Sequence, residues 1–329
     1  LSDHRPAPAC RIVCRVAAYR SLYEVPVSRP ALPSWLLPAM PLVFVVLWST
    51  GFIGAKFGLP YAEPFTFLSI RFAATLALLV PIVWLTRSAW PSSPRLWGHV
   101  AVSGCLVHGG YLGGVFYAIS LGMPAGLASL LVGLQPLLTA ALAGPLLGER
   151  LSALQWMGLA LGLAGVSLVL GGKMDLSALS FEGFGWPALA CTLVALVGIS
   201  LGTLYQKRYC SGMPLLGGTV VQYLGALALL GAGSLLLETR EVEWSLTFVL
   251  TLGWLVLVLS IAAIMLLMML IKRGEASRVA SLFYLVPPVT AVEAWWLFDE
   301  GLPPVSLIGM ALAIAGVALT VRAKKPRAS

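Results

Sequence analysis

The chain has 329 residues, of which 59% are hydrophobic and 10% are charged, and its mean hydropathy is +0.92. An ordinary soluble domain carries about 25% charged residues, so the composition excludes a soluble protein and indicates one that crosses a membrane several times. The formal net charge of +8 would suggest a nucleic-acid partner in a soluble protein. Here the basic residues lie in short loops and tails, so we expect contact with the lipid bilayer and with no nucleic acid.

The cysteines do not form a recognisable framework. Cys10 and Cys14 lie in the leading segment, Cys105 and Cys191 lie within apolar segments, and Cys210 lies in a loop. This is not the spacing of a disulfide-stabilised domain. The leading pair has no second pair of ligands nearby, and the chain has no phosphate-binding loop, so we predict neither a metal site nor a cofactor.

The chain divides by composition into a tail, two membrane regions and a short basic end. Residues 1–39 are rich in proline and arginine and lack a long apolar run, which predicts a disordered tail. Because this segment contains no methionine and Met40 follows it directly, the alternative is that it is not native. We expect five-helix repeats over residues 40–172 and 183–322, and a basic cytoplasmic tail over residues 323–329.

Ten apolar segments follow the tail, each of about the length that crosses a bilayer core of about 30 Å as a helix. The sequence therefore predicts an all-α membrane protein with ten transmembrane helices. The segments span residues 40–59, 65–86, 96–118, 125–147, 152–170, 184–205, 215–237, 246–270, 276–298 and 303–321.

The two halves of this region are copies at a constant offset of 151 residues, as from Gly158 to Gly309. Repeats of five segments, an odd number, must enter the membrane from opposite sides. The sequence therefore predicts an inverted pair of repeats, with a substrate site near the midplane where the repeats meet. Small residues in the fifth and tenth segments favour close helix packing, either as internal scaffold or as a homodimer contact.

The distribution of lysine and arginine predicts the orientation. Positive charge is retained on the cytoplasmic side of a membrane protein. The joints after the even-numbered segments and the end of the chain hold most of it, which places both termini in the cytoplasm. These residues are Arg87, Arg95, Arg150, Lys207, Arg208, Lys272, Arg273, Arg278, Arg322, Lys324, Lys325 and Arg327.

A set of short motifs appears in a characteristic order over residues 40–322. They are Trp48 to Phe52, Arg71-Phe72, Gln135-Pro136, Gly148-Glu149 and Gly162 to Val166, echoed by Pro287-Pro288, Asp299-Glu300 and Ala315 to Val317. No single motif is specific, but their order resembles the EamA family of the drug/metabolite transporter superfamily.

This resemblance implies a carrier in the bacterial inner membrane and not an enzyme. It implies export of small metabolites, amino acids or toxic compounds by alternating access, with proton exchange. The cavity would be lined mainly by the first, third, fourth, sixth, eighth and ninth helices. The chain departs from the family at Glu293, where such proteins usually have an apolar residue.

Glu293 is the predicted proton-coupling residue. It lies within the ninth segment, and a carboxyl group in hydrocarbon marks an ion path or a proton relay. The alternative is a side chain that reaches toward the outer interface beside Trp295 and Trp296.

The predicted substrate site comprises Trp48, His108, Tyr111, Gln135 and Tyr284. His108 can donate a hydrogen bond to substrate or relay a proton, or it can form an interhelical hydrogen bond. Gln135 precedes a proline, which frees a backbone carbonyl one turn earlier, and such groups are tolerated only against protein or a watery cavity. Tyr284 is its looser counterpart in the second half. Trp48 either stacks on substrate or packs within the helix bundle.

Arg71 is a further site residue, for which two functions are open. It can attract a carboxylate of the substrate, or it can pair with Glu63 and anchor its helix. Gln222 occupies the corresponding position in the second half.

Two other classes of protein remain alternatives. Gly198 to Gly202 fits the spacing of a nucleophile elbow, so Ser200 with His108 could form an intramembrane serine hydrolase. That motif requires a strand-to-helix turn, however, whereas Ser200 lies within an apolar segment and corresponds to Ser49 in the first half. A non-catalytic membrane scaffold would be preferred if the helices enclosed no polar cavity.

Overall fold

The computed structural model describes residues 36–147, 151–172, 174–175, 180–181, 183–264, 266, 270, 282–301 and 303–322. The architecture given below is that of the unit Met40–Ser329, together with the first residues of the helix that leads into it. Cys10, Cys14 and Glu149 lie outside the described residues, as does the start of the ninth predicted segment.

The described chain is almost entirely helical. A short antiparallel ladder pairs β1 (Met174–Asp175) with β2 (Ser180–Phe181). The helices are α1 Leu36–Gly58, α2 Pro64–Leu85, α3 Pro94–Gly104, the π-helix π1 Cys105–Gly110, α4 Tyr111–Ser120, α5 Ala125–Val132, α6 Gln135–Leu147, α7 Ala153–Gly171, α8 Trp186–Tyr209, α9 Leu215–Leu237, α10 Leu246–Gly253, the π-helix π2 Trp254–Ala263, a 3₁₀ turn Phe283–Leu285, α11 Val286–Phe298 and α12 Pro304–Arg322.

The helices have the length and apolarity of membrane spans. Within the described residues, eight helical stretches are long and apolar enough to cross a bilayer, and the shorter stretch Pro304–Thr320 is also apolar. The ninth predicted segment is described only from residue 282, and its helix α11 has 13 residues. The prediction of a helical, multi-pass membrane protein is confirmed, and the count of ten spans stays a prediction.

The outer surface of the bundle is apolar. Large side chains such as Trp84, Leu236 and Trp296 are 78%, 82% and 78% exposed. Soluble monomers rarely expose contiguous apolar patches of more than a few hundred square ångströms, whereas lipid acyl chains solvate such side chains. The exposed faces of these helices are therefore the lipid-facing ones.

Prolines break the fourth and ninth segments at corresponding places. The fourth segment, predicted as one helix, is divided into α5 and α6 just before Pro136, and the amide of Leu137 bonds to the carbonyl of Leu134. In the second half the 3₁₀ turn ends just before Pro287, which lies 151 residues after Pro136. Proline lacks an N–H group and crowds the carbonyl four residues earlier, so both helices tighten or break one turn ahead of it.

Two π-helices also lie at corresponding places, a feature that the sequence did not predict. Adding 151 to the bounds of π1 gives residues 256–261, which fall within π2. A π-helix carries one extra residue per turn and is often found at functional sites. Each half therefore has a widened turn at the same level of its third helix.

These π-helices are seated against glycines of the opposite half. A Cβ atom on Gly51 of α1 would lie 3.0 Å from Leu259 of π2, and one on Gly202 of α8 would lie 2.6 Å from Val107 of π1. Gly51 and Gly202 are themselves repeat-related. The first helix of each half therefore packs on the π-helix of the other half.

Helices α7 and α12, the last helices of the two repeats, cross at two contacts that are related by the repeat. A Cβ atom on Gly165 would lie 2.4 Å from the carbonyl oxygen of Gly309 and 2.5 Å from the amide nitrogen of Ala313. Likewise Gly158 lies against Gly316. Because Gly158 and Gly165 correspond to Gly309 and Gly316 at the offset of 151, each contact is the repeat-related copy of the other, and the helices run antiparallel.

This crossing predicts a large effect for one added methyl group. Gly165→Ala would bring Cβ against backbone atoms that cannot rotate away, so we expect a loss of roughly 2–3 kcal/mol of stability and a lower melting temperature in detergent. Gly171→Ala is the matched control, because a Cβ atom there meets nothing within 4 Å. Equal melting temperatures for the two variants would contradict the close packing of α7 on α12.

Candidate substrate cavity

A cavity of about 160 Å³ lies between the two halves of the bundle. Its polar lining consists of the side chains of Arg71, His108, Tyr111, Tyr223 and Ser260, and the remainder is mostly apolar or aromatic. The lining residues come from α1, α2, π1, α4, α8, α9 and π2. The second and seventh helices therefore contribute, and the fourth and ninth helices, which the family resemblance implied, are not among those described as lining it.

Arg71 is the charged group among the described residues that line this cavity. It is 4% exposed, and its Nη2 atom donates a hydrogen bond to Ser260 Oγ at 3.2 Å. Its Nε and Nη1 atoms are buried and have no hydrogen-bond partner among the described residues. The pairing with Glu63 considered from the sequence is not formed, because that carboxylate accepts from Thr239 Oγ1 and from the amide of Arg240, each at 2.9 Å.

His108 faces the cavity from the first half of the chain. It lies in π1 and lines the cavity, next to Gln222 and Tyr223 of α9. Its ring also packs edge-on against Tyr223, with 4.8 Å between ring centroids. Gln222 in turn donates to Ser103 Oγ at 2.9 Å. The imidazole is therefore held by the opposite half while it faces the cavity.

Trp48 and Tyr111 also line this cavity. The indole ring of Trp48 packs against the rings of Phe44 and Phe283, with centroid distances of 5.4 and 5.1 Å. This packing fixes the orientation of Trp48 and leaves part of the side chain toward the cavity. Two of the predicted substrate-binding residues thus join Arg71 and His108 at one place.

Gln135 and Tyr284 lie elsewhere. The Nε2 atom of Gln135 donates to Thr203 Oγ1 on α8 at 3.0 Å. Tyr284 lines a separate small cavity with Gly133 and Pro287, where a Cβ atom on that glycine would lie 2.9 Å from the proline ring. The fourth and ninth helices meet at their proline breaks, so these two residues are not brought to the main cavity.

Glu293 faces inward from α11. Its Oε1 atom lies 2.8 Å from Ser49 Oγ, and the same hydroxyl lies 2.8 Å from the carbonyl oxygen of Val46. Its Oε2 atom is buried and has no hydrogen-bond partner among the described residues, whereas Trp295 and Trp296 on the same helix are 53% and 78% exposed. The carboxyl group therefore contacts α1 inside the bundle and does not reach the interface with the two tryptophans.

The sequence matches the model of the EamA-like transporter family over residues 35–171 and 186–322. The chain belongs to this family. It is therefore a transporter of the drug/metabolite superfamily, as the order of its motifs predicted, and a multi-pass membrane protein.

Curated relatives of this EamA-like transporter are bacterial. A protein of Salmonella typhimurium named "Probable amino-acid metabolite efflux pump" is 29% identical over 291 residues, which is 86% of this chain and 93% of the relative. A Bacillus subtilis protein named "Uncharacterized transporter YvbV" is 30% identical, with 85% and 90% covered. A Streptantibioticus cattleyicolor protein named "Probable terminal-alkyne amino-acid exporter" is 31% identical, with 61% and 65% covered.

A solved crystal structure shares the fold. It superposes with a TM-score of 0.58 at 22% identity, covering 85% of this chain and 94% of that chain. At this identity the likeness concerns the fold alone.

Two polar residues of the transporter's cavity, Tyr223 and Ser260, were not predicted from the sequence. Both could have been found from the repeat: Tyr223 follows Gln222, the counterpart of Arg71, and Ser260 is the polar residue of the apolar run Trp254–Ala263. Ser260 Oγ donates to the carbonyl of Leu255 at 3.0 Å and accepts from Arg71 Nη2 at 3.2 Å. Ser260 thus holds one end of the guanidinium of Arg71.

The groups of a serine hydrolase are not assembled in this transporter. Ser200 lies within α8 instead of a strand-to-helix turn, it is fully buried, and its Oγ atom has no hydrogen-bond partner among the described residues. A serine nucleophile needs a base within hydrogen-bond reach, and no hydrogen bond joins Ser200 to His108 in the part of the chain that the structure describes. The membership of a transporter family also speaks against an enzyme. Within the described residues, no group of three or more His, Cys, Asp or Glu side chains could hold a metal ion.

Proposed function

We propose that this protein is a secondary transporter that exports small amino-acid-type metabolites by alternating access. The relatives named above as efflux pumps and exporters support the substrate class and the direction. The observation on which the proposal depends is the cavity that both halves line, with a buried arginine and four hydroxyl or imidazole groups in its described lining. A scaffold would need no such polar cavity inside an apolar bundle.

In this proposal the fold is a pair of inverted five-helix repeats with ten transmembrane helices. The contact between α7 and α12 supports an inverted arrangement of the two repeats. These helices correspond in the two repeats and pack antiparallel, which places a two-fold axis in the membrane plane. The glycines of this crossing face each other within one chain, which supports the scaffold interpretation of the small residues over a homodimer contact. Repeats at residues 40–172 and 183–322, cytoplasmic termini and the bacterial inner membrane complete the proposal.

Proton exchange is proposed to use Glu293. The hydroxyl of Ser49 has one hydrogen but two acceptors at 2.8 Å, the Val46 carbonyl and the Glu293 carboxyl group. If Glu293 carries a proton on Oε1, it can donate to Ser49 Oγ while Ser49 donates to the Val46 carbonyl, so both contacts are then hydrogen bonds. The arrangement thus supports a protonated Glu293 in this conformation. A second conformation that admits water to the carboxyl group would let the proton leave.

Solute counterflow in proteoliposomes tests the transport function. Vesicles preloaded with unlabelled leucine are expected to accumulate labelled leucine transiently, without ATP, when the protein is present. A panel of neutral amino acids, amines and drugs extends the test. Empty liposomes and liposomes with an unrelated helical membrane protein are the controls, and the absence of counterflow for every member of the panel would overturn the proposal.

A further inference from the structure

The cavity holds a buried cation for which the described residues offer no counter-ion. Arg71 is 4% exposed, and its Nε and Nη1 atoms lack hydrogen-bond partners among the described residues. The described residues that line the cavity include no aspartate or glutamate. A buried charge is costly unless it is paired and hydrogen-bonded, so the site lacks an anion that a ligand can supply.

We propose that Arg71 binds the carboxylate of the transported solute, which makes the substrate class small carboxylic acids with an apolar body, neutral amino acids among them. This inference rests on the proposed transport function and deepens it by naming the chemical group that the cavity recognises. Arg71 contacts the substrate directly in this proposal and is therefore a substrate-binding residue.

The neighbours of Arg71 hold it ready for such a group. Ser260 Oγ donates its hydrogen to the Leu255 carbonyl, so its lone pairs are available to accept from Arg71 Nη2. This fixes one end of the planar guanidinium and leaves Nε and Nη1 for the ligand. Arginine pairs strongly with carboxylates because its N–H groups match the spacing of the two oxygens. Ser260 is thus a positioning residue.

The size and lining of the cavity favour a monocarboxylate over a phosphate ester. A dry cavity of about 150 Å³ holds a benzene ring, and this one has about 160 Å³. Its walls near Arg71 are formed by rings and aliphatic groups, including Trp48, Phe52 and Leu259. A phosphate ester would bring a second charge for which the described lining offers no second lysine or arginine, whereas one carboxylate matches one guanidinium.

The repeat supplies a suitable neutral substitution. Gln222 occupies the position of Arg71 in the second half, where it is 5% exposed and donates to Ser103. The fold therefore already buries glutamine at the corresponding place on α9. Arg71→Gln removes the charge with the least change in helix packing, and Arg71→Lys keeps the charge but loses the planar donor geometry.

Calorimetric titration of the transporter in lipid nanodiscs tests the inference with matched pairs of ligands. The pairs are benzoate with benzamide, and leucine with leucinamide, so that each differs in the carboxylate. We expect the acid of each pair to bind about ten- to a hundredfold more tightly than the amide, as a charged hydrogen-bonded pair predicts. Arg71→Gln should abolish this preference, and Arg71→Lys should retain part of it. Arg208→Gln, at an exposed helix end, should leave it unchanged.

Several results would overturn the inference. They are equal binding of acid and amide by the unchanged protein, no binding of either acid, and an acid preference that survives in Arg71→Gln. If Arg71→Gln does not fold, the comparison of acid and amide binding by the unchanged protein still tests the inference. Counterflow of a solute without acid preference would refute the carboxylate site and leave the proposed function intact. Acid-selective binding without counterflow of any solute would refute transport and leave the site.

Discussion

Glu293→Gln is expected to abolish solute accumulation driven by a pH gradient while solute exchange continues. Glutamine has the shape of a protonated glutamate and can donate from its amide to Ser49 Oγ, so Ser49 can still donate to Val46 at the observed spacing of 2.8 Å. The helix contact is therefore preserved. The variant loses only the ability to bind and release a proton, because an amide side chain does not titrate at physiological pH.

The direction of the effect follows from exchange of solute for proton. Protons move from the acidic to the alkaline compartment, so the unchanged protein should accumulate solute in the acidic one. With glutamine at position 293 no proton crosses, and solute should only equilibrate. Proteoliposomes with an imposed pH gradient measure the first property, and counterflow at equal pH measures the second.

The surroundings of Glu293 offer few other groups that titrate. Helix α5, which packs against α11, contains no titratable side chain. On α1 the charged residue is Lys56, which pairs with Glu300. Glu241→Gln, in an exposed loop, is the matched control and should behave like the unchanged protein. Gradient-driven accumulation that persists in Glu293→Gln would clear this residue of proton coupling.

Much of the fold could be predicted because the repeat is visible in the sequence. The offset that relates Gly158 to Gly309 also relates the two proline breaks and the two π-helices. The breaks were partly foreseeable from Pro136 and Pro287. The π-helices were not, because an extra residue shifts the polar stripe of an amphipathic helix, and these segments are apolar on nearly every side and have no stripe to shift.

The site was predicted less completely than the fold. Trp48, Arg71, His108 and Tyr111 stood out as polar or aromatic groups in apolar segments, and the structure brings them to one cavity. Gln135 was predicted to line the cavity because a proline follows it. The proline breaks instead lie where the fourth helix contacts the ninth. Which polar residues of different helices face one another depends on helix rotation, and a strongly apolar helix carries little information about its rotation.

The contacts of Glu300 predict the second large effect, on stability. Its Oε1 atom accepts from Lys56 Nζ and, at 3.0 Å, from the amide of Ala125, while Oε2 lies 3.4 Å from the amide of Gly126. Lys56 also lies over the ring of Phe298, 4.6 Å from its centroid. One carboxylate thereby joins the end of α1, the loop after α11 and the start of α5, where the unpaired N–H groups and the helix dipole favour an anion.

A graded series separates the cap from the ion pair. Glu300→Ala removes both and should cost about 2–4 kcal/mol, since it leaves donors without partners in a largely buried place. Glu300→Gln keeps an acceptor for the amides and should cost about half as much. Lys56→Met should cost about 1 kcal/mol or less, because the lysine side chain is 31% exposed against 12% for the glutamate and solvent screens the pair.

Melting temperatures of the purified variants in detergent measure this order. The double variant Lys56→Met with Glu300→Ala should be little worse than Glu300→Ala alone, because the lysine has lost its partner already. Glu243→Ala, at an exposed loop position, is the control and should melt like the unchanged protein. Equal losses for Glu300→Ala and Lys56→Met would show that the cap on α5 contributes nothing. Additive losses in the double variant would show that the two side chains do not stabilise one another. Either result would contradict a single carboxylate that joins three segments at this end of the bundle.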